Sequence, residues 1–407
     1  MVADMREMKD SGISWIGKMR DDWELTKIKY VSDIVSGEYI SKDSYDEEGL
    51  YPIVGSNGII GHSNKYNNNR TVITTGRVGS VGTAHLVDIA WITDNTLILE
   101  NKSSVRIKFL YYVLPNFDYQ YISSGTAQPL ITASKLKQQI FAMPSLLQQD
   151  IIINFLDSKC AEIDALTADI QSEIETLEEY KRSRIFETVE HGFGHKVFVD
   201  TDSDVWQTIP EGWKLVDIKY LFEIVKRIAG KEGYDIIAIT QQGLQYKDVS
   251  SNAGQLASDY SGYQFVYPGD FAMNHMDLIT GWVDLSDKFG VTSPDYRVFR
   301  LRYPDRFDRK YYKHIMQCCY MCRIFYSFGR GVSNLGRWRL QTSTFNDFKV
   351  PVPPYEEQVI IGKYLDEKVS EIDAIITQKR EQLTVLADYK KSLIYEYVTG
   401  KKEVPVA

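Results

Sequence analysis

Apolar residues return at helical spacing in two stretches of this chain, residues 151–190 and 363–399, and neither stretch contains Gly or Pro. With nothing to break them, both are predicted as long helices. In the first, Ile163, Leu166, Ile170, Ile174 and Leu177 step by 3, 4, 4 and 3. That eleven-residue cycle predicts one narrow apolar stripe on a nearly straight helix. The second carries Ile372, Ile375, Lys379, Leu383 and Leu386 in the same register, with Lys379 in the place of Ile170. At 1.5 Å per residue, helices of roughly 40 residues make rods on the order of 60 Å. A lone helix cannot hide such a stripe, so the two are expected to pack on each other as an antiparallel coiled-coil pair.

Elsewhere the periodicity is shorter. Tyr51-Pro52-Ile53-Val54, Thr71-Val72-Ile73-Thr74 and Ala90-Trp91-Ile92-Thr93 are β-branched or aromatic runs cut by Gly and Asn turns, and residues 236–239 and 297–301 read the same way. Short helices are predicted near residues 107–113 and 310–327. Two mixed, β-dominated globular stretches, about residues 18–143 and 200–352, therefore alternate with the helices, which makes the fold class α+β.

The two halves repeat. Asn154-Phe155-Leu156-Asp157 and Glu162-Ile163-Asp164-Ala165 return 209 positions later as Lys363-Tyr364-Leu365-Asp366 and Glu371-Ile372-Asp373-Ala374. Pro144 matches Pro353, Gln149 matches Gln358, and Tyr180-Lys181 matches Tyr389-Lys390. An earlier echo has an offset of 190, with Trp23-Glu24-Leu25 and Ile28-Lys29-Tyr30 against Trp213-Lys214-Leu215 and Ile218-Lys219-Tyr220. Duplication followed by length change in the globular stretch explains both offsets. The resulting segments are a module over 1–144, a helix over 145–192, a module over 193–353 and a helix over 354–402, a pseudo-twofold internal repeat.

Composition narrows the class. At 407 residues with 43% hydrophobic and 13% aromatic content, the chain has material for two cores and does not read as disordered. No apolar run approaches the ~18 residues of a membrane span, and no apolar signal region follows Met1. Four cysteines are too few for a disulfide scaffold, so a soluble, reducing, cytoplasmic setting is expected. The formal net charge of −8 looks wrong for a partner of phosphate, but it is unevenly spread. Residues 146–190 hold 11 acidic and 4 basic side chains, whereas residues 297–349 hold 12 basic and 3 acidic. Acidic rods leave a basic globule free to meet a polyanion.

Three motifs invite catalytic or metal readings and do not sustain them. Val352-Pro353-Pro354-Tyr355 mimics the Asn/Asp-Pro-Pro-Tyr loop of amino-methyltransferases, but Val352 offers no side-chain acceptor, and a helix-start role fits better. Gly76-Arg77-Val78-Gly79-Ser80-Val81-Gly82 lacks the Lys-Ser/Thr of a phosphate loop. Cys318, Cys319 and Cys322 have no second Cys pair or suitably spaced His pair, so they read as buried thiols and no metal site is expected.

The combination resembles the specificity subunit of type I restriction–modification systems. The carriers are Asp10-Ser11-Gly12-Ile13-Ser14-Trp15-Ile16-Gly17 followed by Trp23-Glu24-Leu25, and the junction Val350-Pro351-Val352-Pro353-Pro354-Tyr355-Glu356-Glu357-Gln358. Pro268-Gly269-Asp270-Phe271-Ala272-Met273-Asn274 with Ser293-Pro294-Asp295-Tyr296-Arg297-Val298 is similar to a second target recognition domain of that family. The first junction departs from the pattern, because Ser145-Leu146-Leu147-Gln148-Gln149 lacks the second Pro and the Glu, and a weaker helix cap is expected there. The resemblance implies that each target recognition domain reads one half of a bipartite site in double-stranded DNA. It further implies that the helices set the gap and dock two methylation subunits, and that a separate motor–nuclease subunit cleaves. S-adenosylmethionine, and ATP with Mg, would then belong to the partners, and this chain would hold no cofactor and do no chemistry. A self-contained modification enzyme, and a coiled-coil scaffold with protein-binding modules, are the competing readings.

Within that reading, base contacts are expected from polar and basic residues on Gly-rich loops, because Arg and Asn can bond base edges in pairs. In the first module these are Arg77, Ser80, Thr126 and Gln128. The second offers Asn274, Arg330, Ser333, Asn334 and Arg337. Arg297, Arg300 and Arg302 are read as alternating on one strand, as phosphate contacts or as a solvated face.

Overall fold

In the computed structural model, residues 7–79, 81–123, 130–247, 259–331 and 338–405 are described. The chain divides into two units, Met1–Ile170 with Glu381–Ala407, and Gln171–Arg380. Each unit combines one globular module with part of each long helix.

The helices span Leu146–His191 and Tyr355–Val398, 46 and 44 residues. Within the first unit the ring of Phe155 lies 4.5 Å from that of Tyr397, and Lys390 Nζ lies 2.6 Å from Asp164. The second unit pairs Lys181 with Asp373 at 2.7 Å and Arg380 with Glu178 at 2.9 Å. In both, one partner's number rises as the other's falls, so the helices are antiparallel. Lys181–Asp373 and Lys390–Asp164 are the same pair related by the 209-residue repeat.

The seam differs from the expected stripe. Leu166 and Ile375 are 48% and 43% exposed, while Ile376 is buried and Thr167 half-buried. The inward positions are Ile163, Thr167, Ile170, Ile174 and Leu177, matched by Ile372, Ile376, Lys379, Leu383 and Leu386. Steps of 4, 3, 4 and 3 are the heptad pattern, which keeps a narrow seam on a facing helix. Thr167 fits because its hydroxyl bonds the Ile163 carbonyl at 2.8 Å. Lys379 fits because its stem covers apolar surface while its head pairs with Glu173.

The first module is built on a six-stranded sheet, in the order Ser32–Ser36, Thr96–Asn101, Asn68–Gly76, Ala84–Ile92, Tyr51–Gly55 and Gly58–Ser63. The pairing of Tyr51–Gly55 with Ala84–Ile92 is parallel and the others are antiparallel. The second module has a four-stranded sheet, Phe222–Val225, Arg297–Leu301, Phe271–Met273 and Val283–Leu285, with separate two-stranded pairs beside it. The predicted helix at Ile107–Val113 forms, and the one near 310–327 is broken into Arg309–Met321 and Ile324–Ser327. The break falls at Arg323, whose φ of 55° is left-handed.

What the modules share is the way each is closed and fastened to helix. Glu24–Lys27 pairs antiparallel with Ile140–Met143, and Lys214–Asp217 pairs in the equivalent register with Lys349–Val352. The strand after each Trp therefore meets the strand before each junction, which is why the 190 and 209 offsets both survive. Each Trp also closes a helix end. Gly400 has φ +71° and would place a Cβ 3.1 Å from the Trp23 ring, and Gly192 has φ +60° and would place one 2.7 Å from Trp213. Only glycine meets both demands.

At the helix starts, one buried glutamine makes the same two bonds in each unit. Gln149 Nε2 donates to the Pro144 carbonyl at 2.9 Å, and its Oε1 accepts from Arg106 N at 2.7 Å. Gln358 Nε2 donates to the Pro353 carbonyl at 2.8 Å, and its Oε1 accepts from Asp308 N at 3.0 Å. Arg106 and Asp308 are the residues that begin the module helices Ile107–Val113 and Arg309–Met321. Two turns on, Asp157 accepts from Tyr112 Oη at 2.7 Å, and Asp366 binds His314 Nε2 at 2.8 Å and Lys310 at 3.0 Å. Burial pushes the Asp366 carboxyl up, but the bonds from His314, Lys313 and Lys310 overcome it and hold the group well below the usual carboxylate range.

The weaker cap expected at the first junction is not what forms. Ser145 N donates to Gln148 Oε1 at 3.1 Å and Gln148 N donates to Ser145 Oγ at 3.4 Å, a reciprocal capping box that does without the second Pro and the Glu. At the second junction Glu356 and Glu357 sit in the first turn, where carboxylates suit the helix dipole.

Replacing either glutamine by leucine keeps the volume but strands a buried N–H and a buried carbonyl. Gln149→Leu and Gln358→Leu should each lower stability by about 2–4 kcal/mol, since each unmet buried polar group costs about 1–3 kcal/mol. Chemical denaturation of the variants measures this, and a loss confined to a few tenths would mean that the clamp is not a fastening.

Candidate nucleic-acid interface

In the first module, Arg77 follows the strand Asn68–Gly76. Its backbone is held on both sides, with N donating to the Asn95 carbonyl and the carbonyl accepting from Ile131 N, each at 2.9 Å. The side chain is half-buried, and its Nε is enclosed and has no hydrogen-bond partner among the described residues. Thr74 stands directly opposite His85 on the neighbouring strand, and Thr74 Oγ1, Thr75 Oγ1 and His85 Nε2 are likewise enclosed without partners among the described residues. Nothing in the spacing of these residues marks them out. Ser80, Thr126 and Gln128 lie outside the described residues.

In the second module, Asn274 ends the strand Phe271–Met273. Its N donates to the Trp282 carbonyl at 2.9 Å, and its own carbonyl accepts from Tyr320 Oη at 2.7 Å. The side chain lines a cavity of about 400 Å³ together with Lys247, Tyr263, Asp277, Asp295 and Tyr296. Arg330 is exposed, and it exchanges two backbone bonds with Arg339, 3.1 and 3.2 Å, which close the base of the Gly-rich loop. Leu340 N donates to the His275 carbonyl at 3.0 Å and Leu278 N to the Trp338 carbonyl at 3.2 Å, so the Asn274 strand end and the Arg330 loop base belong to one edge. Trp338 packs over Gly331 and against Tyr326, with the rings 5.0 Å apart. Ser333, Asn334 and Arg337 lie outside the described residues.

Arg297 corrects the expected row of three arginines. It is 4% exposed, with Nη2 donating to the Leu340 carbonyl at 3.1 Å and the guanidinium 4.4 Å from the Phe345 ring centre. The reason is the period of a strand. Residues three apart face opposite sides, so Arg297 points inward with Phe299 while Arg300 points out to Glu223. Arg302 Nε donates to the Lys219 carbonyl at 3.0 Å. Burial lowers the Arg297 guanidinium to about 10, still a cation at neutral pH, which fixes the chain just after the Gly-rich loop.

Cys318 and Cys319 are fully buried and Cys322 half-buried, as expected of thiols on a core-facing helix. Among the described residues no group of three or more His, Cys, Asp or Glu is placed to hold a metal ion. No helix of the described residues is long and apolar enough to cross a membrane.

The family model for the type I restriction modification DNA specificity domain matches twice, over residues 20–176 and 210–385. The chain belongs to that family of DNA specificity proteins. The type I restriction enzyme MjaVIII specificity subunit of Methanocaldococcus jannaschii is 23% identical over 442 aligned positions, covering 99% of both chains. The putative MjaX specificity subunit of the same organism is 23% identical over 432, covering 96% of both. A solved structure described as the structural basis of complex assembly and conformational transition of the type I R-M system superimposes with a TM-score of 0.64. It is 15% identical and covers 94% of this chain and 99% of the other, a likeness of fold.

The same edge carries a pH signature. Burial, then the charges of Arg297 and Arg339, push the His275 imidazole down to about 3. The unfolded chain takes up that proton near the ordinary value of about 6.5. The group's contribution is therefore present above about pH 6.5 and is lost as pH falls toward 3. Glu190, raised to about 7 by burial, acts in the opposite sense and loses its contribution as pH rises from about 4.5 to 7. The difference between wild type and His275→Gln isolates the first effect. Melting profiles should show the variant losing less stability than wild type between pH 6.5 and 4, and parallel profiles would count against a neutral, enclosed His275.

Proposed function

We propose that each module reads one half of a bipartite site in double-stranded DNA, with the paired helices setting the gap between the halves. The observation that carries this is the double match of the DNA specificity family over two modules whose fastenings to helix are the same and whose sheets differ. Different sheets on equivalent frames suit the reading of two different half-sites. Arg77, whose backbone is held on both sides just after its strand, and the joint edge of Asn274 and Arg330 are the proposed contact regions. Ser80, Thr126, Gln128, Ser333, Asn334 and Arg337 remain proposed contacts from sequence.

In this reading the chain supplies the address and its partners the chemistry. Two methylation subunits, which would bind S-adenosylmethionine, dock on the helical frame, and a motor–nuclease subunit using ATP with Mg completes the assembly. Two copies of one partner suit a surface that is itself duplicated. Tyr30 and Tyr220, equivalent in the repeat, are each 63% exposed, and each ring is flanked by a lysine, Lys29 at 4.8 Å and Lys219 at 5.3 Å.

The test is a methylation map of the host genome with and without this gene. One bipartite adenine motif should vanish in its absence, and unchanged modification would overturn the reading in favour of a scaffold. On the assembled complex, Arg77→Ala and Arg330→Ala should each weaken binding to the specific site by about 1–3 kcal/mol, with each loss confined to a different half-site. Fluorescence anisotropy with half-site-scrambled duplexes separates this from a uniform loss, which would make either arginine a phosphate contact.

A further inference from the structure

The helix Arg309–Met321 ends on cysteines that DNA reading does not use. Cys318 is fully buried, Cys322 is the half-buried residue that caps the helix, and their Sγ atoms lie 3.7 Å apart. Cys322 opens on a cavity of about 470 Å³, wholly within the second unit, lined by Arg182, Ser183 and Phe186 of the first long helix and by Met321, Cys322 and Arg323. Arg182 is the cation whose charge reaches that thiol. Arg323 occupies a left-handed conformation that glycine would take without strain, the only positive φ at a non-glycine among the described residues.

We infer that Cys322 and Cys318 form a hydroperoxide-responsive dithiol, with Cys322 the attacking and Cys318 the resolving sulfur. The contact with the Cys318 sulfur, with the charge of Arg182, draws the Cys322 thiol below its ordinary value despite burial. The same contact, followed by burial, pushes Cys318 well up, so it holds its proton. A low thiol that a peroxide can reach beside a second, resolving cysteine is the arrangement that oxidation selects. The Cys322 thiolate attacks one peroxide oxygen, the S–O bond forms as the O–O bond breaks, and the other oxygen leaves as alkoxide or hydroxide and takes up a proton. Arg182 borders the space into which that anion departs. Cys322 is then a sulfenic acid. The Cys318 sulfur attacks it, and the displaced hydroxide leaves with the Cys318 proton as water. Two thiols and one hydroperoxide give one disulfide, one alcohol (water, for hydrogen peroxide) and one water. One-turn spacing keeps the two Cβ atoms within about 6 Å. Tightening to the ~3.8 Å of a disulfide falls on the residue that caps the helix, beyond its last turn.

Hydrogen peroxide added to the reduced, full-length protein tests this, with sulfenic acid trapped by dimedone and thiols mapped by alkylation and mass spectrometry. Cys322 should react about tenfold faster than Cys160 or Cys319, whose thiols burial raises. A Cys318–Cys322 disulfide reducible by dithiothreitol should follow. In Cys318→Ser the sulfenic acid should accumulate, and Arg182→Gln should slow Cys322 several-fold while leaving Cys160 unchanged. Equal rates at all four cysteines, or a disulfide that engages Cys319, would overturn the assignment. Should Cys318→Ser fail to fold, the wild-type time course and Arg182→Gln decide the matter alone.

Discussion

Two glutamine side chains, Gln149 and Gln358, set the terms for the rest of the molecule. A primary amide has one acceptor and one donor end, and each of these spends both on backbone groups from separate segments, the proline carbonyl five residues back and the N–H that begins a module helix. Both residues are 1% exposed, so water cannot replace either bond. The chain can satisfy all four groups in only one arrangement of junction, long helix and module helix. Asp157 and Asp366, two turns further along, repeat the constraint with side-chain donors from the same module helices. Directional polar bonds at buried positions specify geometry that apolar packing alone would leave loose.

Because these fastenings are duplicated, they were also the most legible part of the fold. The repeat of Pro144, Gln149 and Asp157 as Pro353, Gln358 and Asp366 stands out in the sequence because each residue meets a demand that few others meet. The length of the helices was equally plain, since nothing in either stretch interrupts them. Their inner face was not. Leu166 and Ile375 look like seam residues and lie outside it, while Thr167 and Lys379 look like surface residues and lie within it. A stripe read from hydrophobicity alone shifts by one position when a threonine can bond its own helix and a lysine can lay its stem along the seam.

Similar limits applied to the candidate interface. Glycine-rich stretches announced loops, and arginines within them announced contact chemistry, but whether an arginine faces solvent depends on strand parity and on what stands opposite. Arg297 shows the difference. It shares a strand with Arg300, yet it lies inside the module, tied to Leu340, while Arg300 reaches Glu223 at the surface. Thr74, His85 and His275 carried no signal at all, because their significance lies in unmet or enclosed polar atoms that only neighbouring segments create.

The contrast between the modules then has a physical explanation. A six-stranded sheet in one and a four-stranded sheet with separate strand pairs in the other would be hard to reconcile with simple duplication if the core had to match throughout. It does not have to match. Each module meets its helices in part through the Trp-led strand, the junction strand paired with it, and the first turns of one module helix, and those parts are equivalent in both. Loops and strands beyond that frame answer only to their own packing. Residues such as Arg77 and Asn274 can therefore change without disturbing Gln149 or Gln358, so a surface free to vary is carried on a frame that is not.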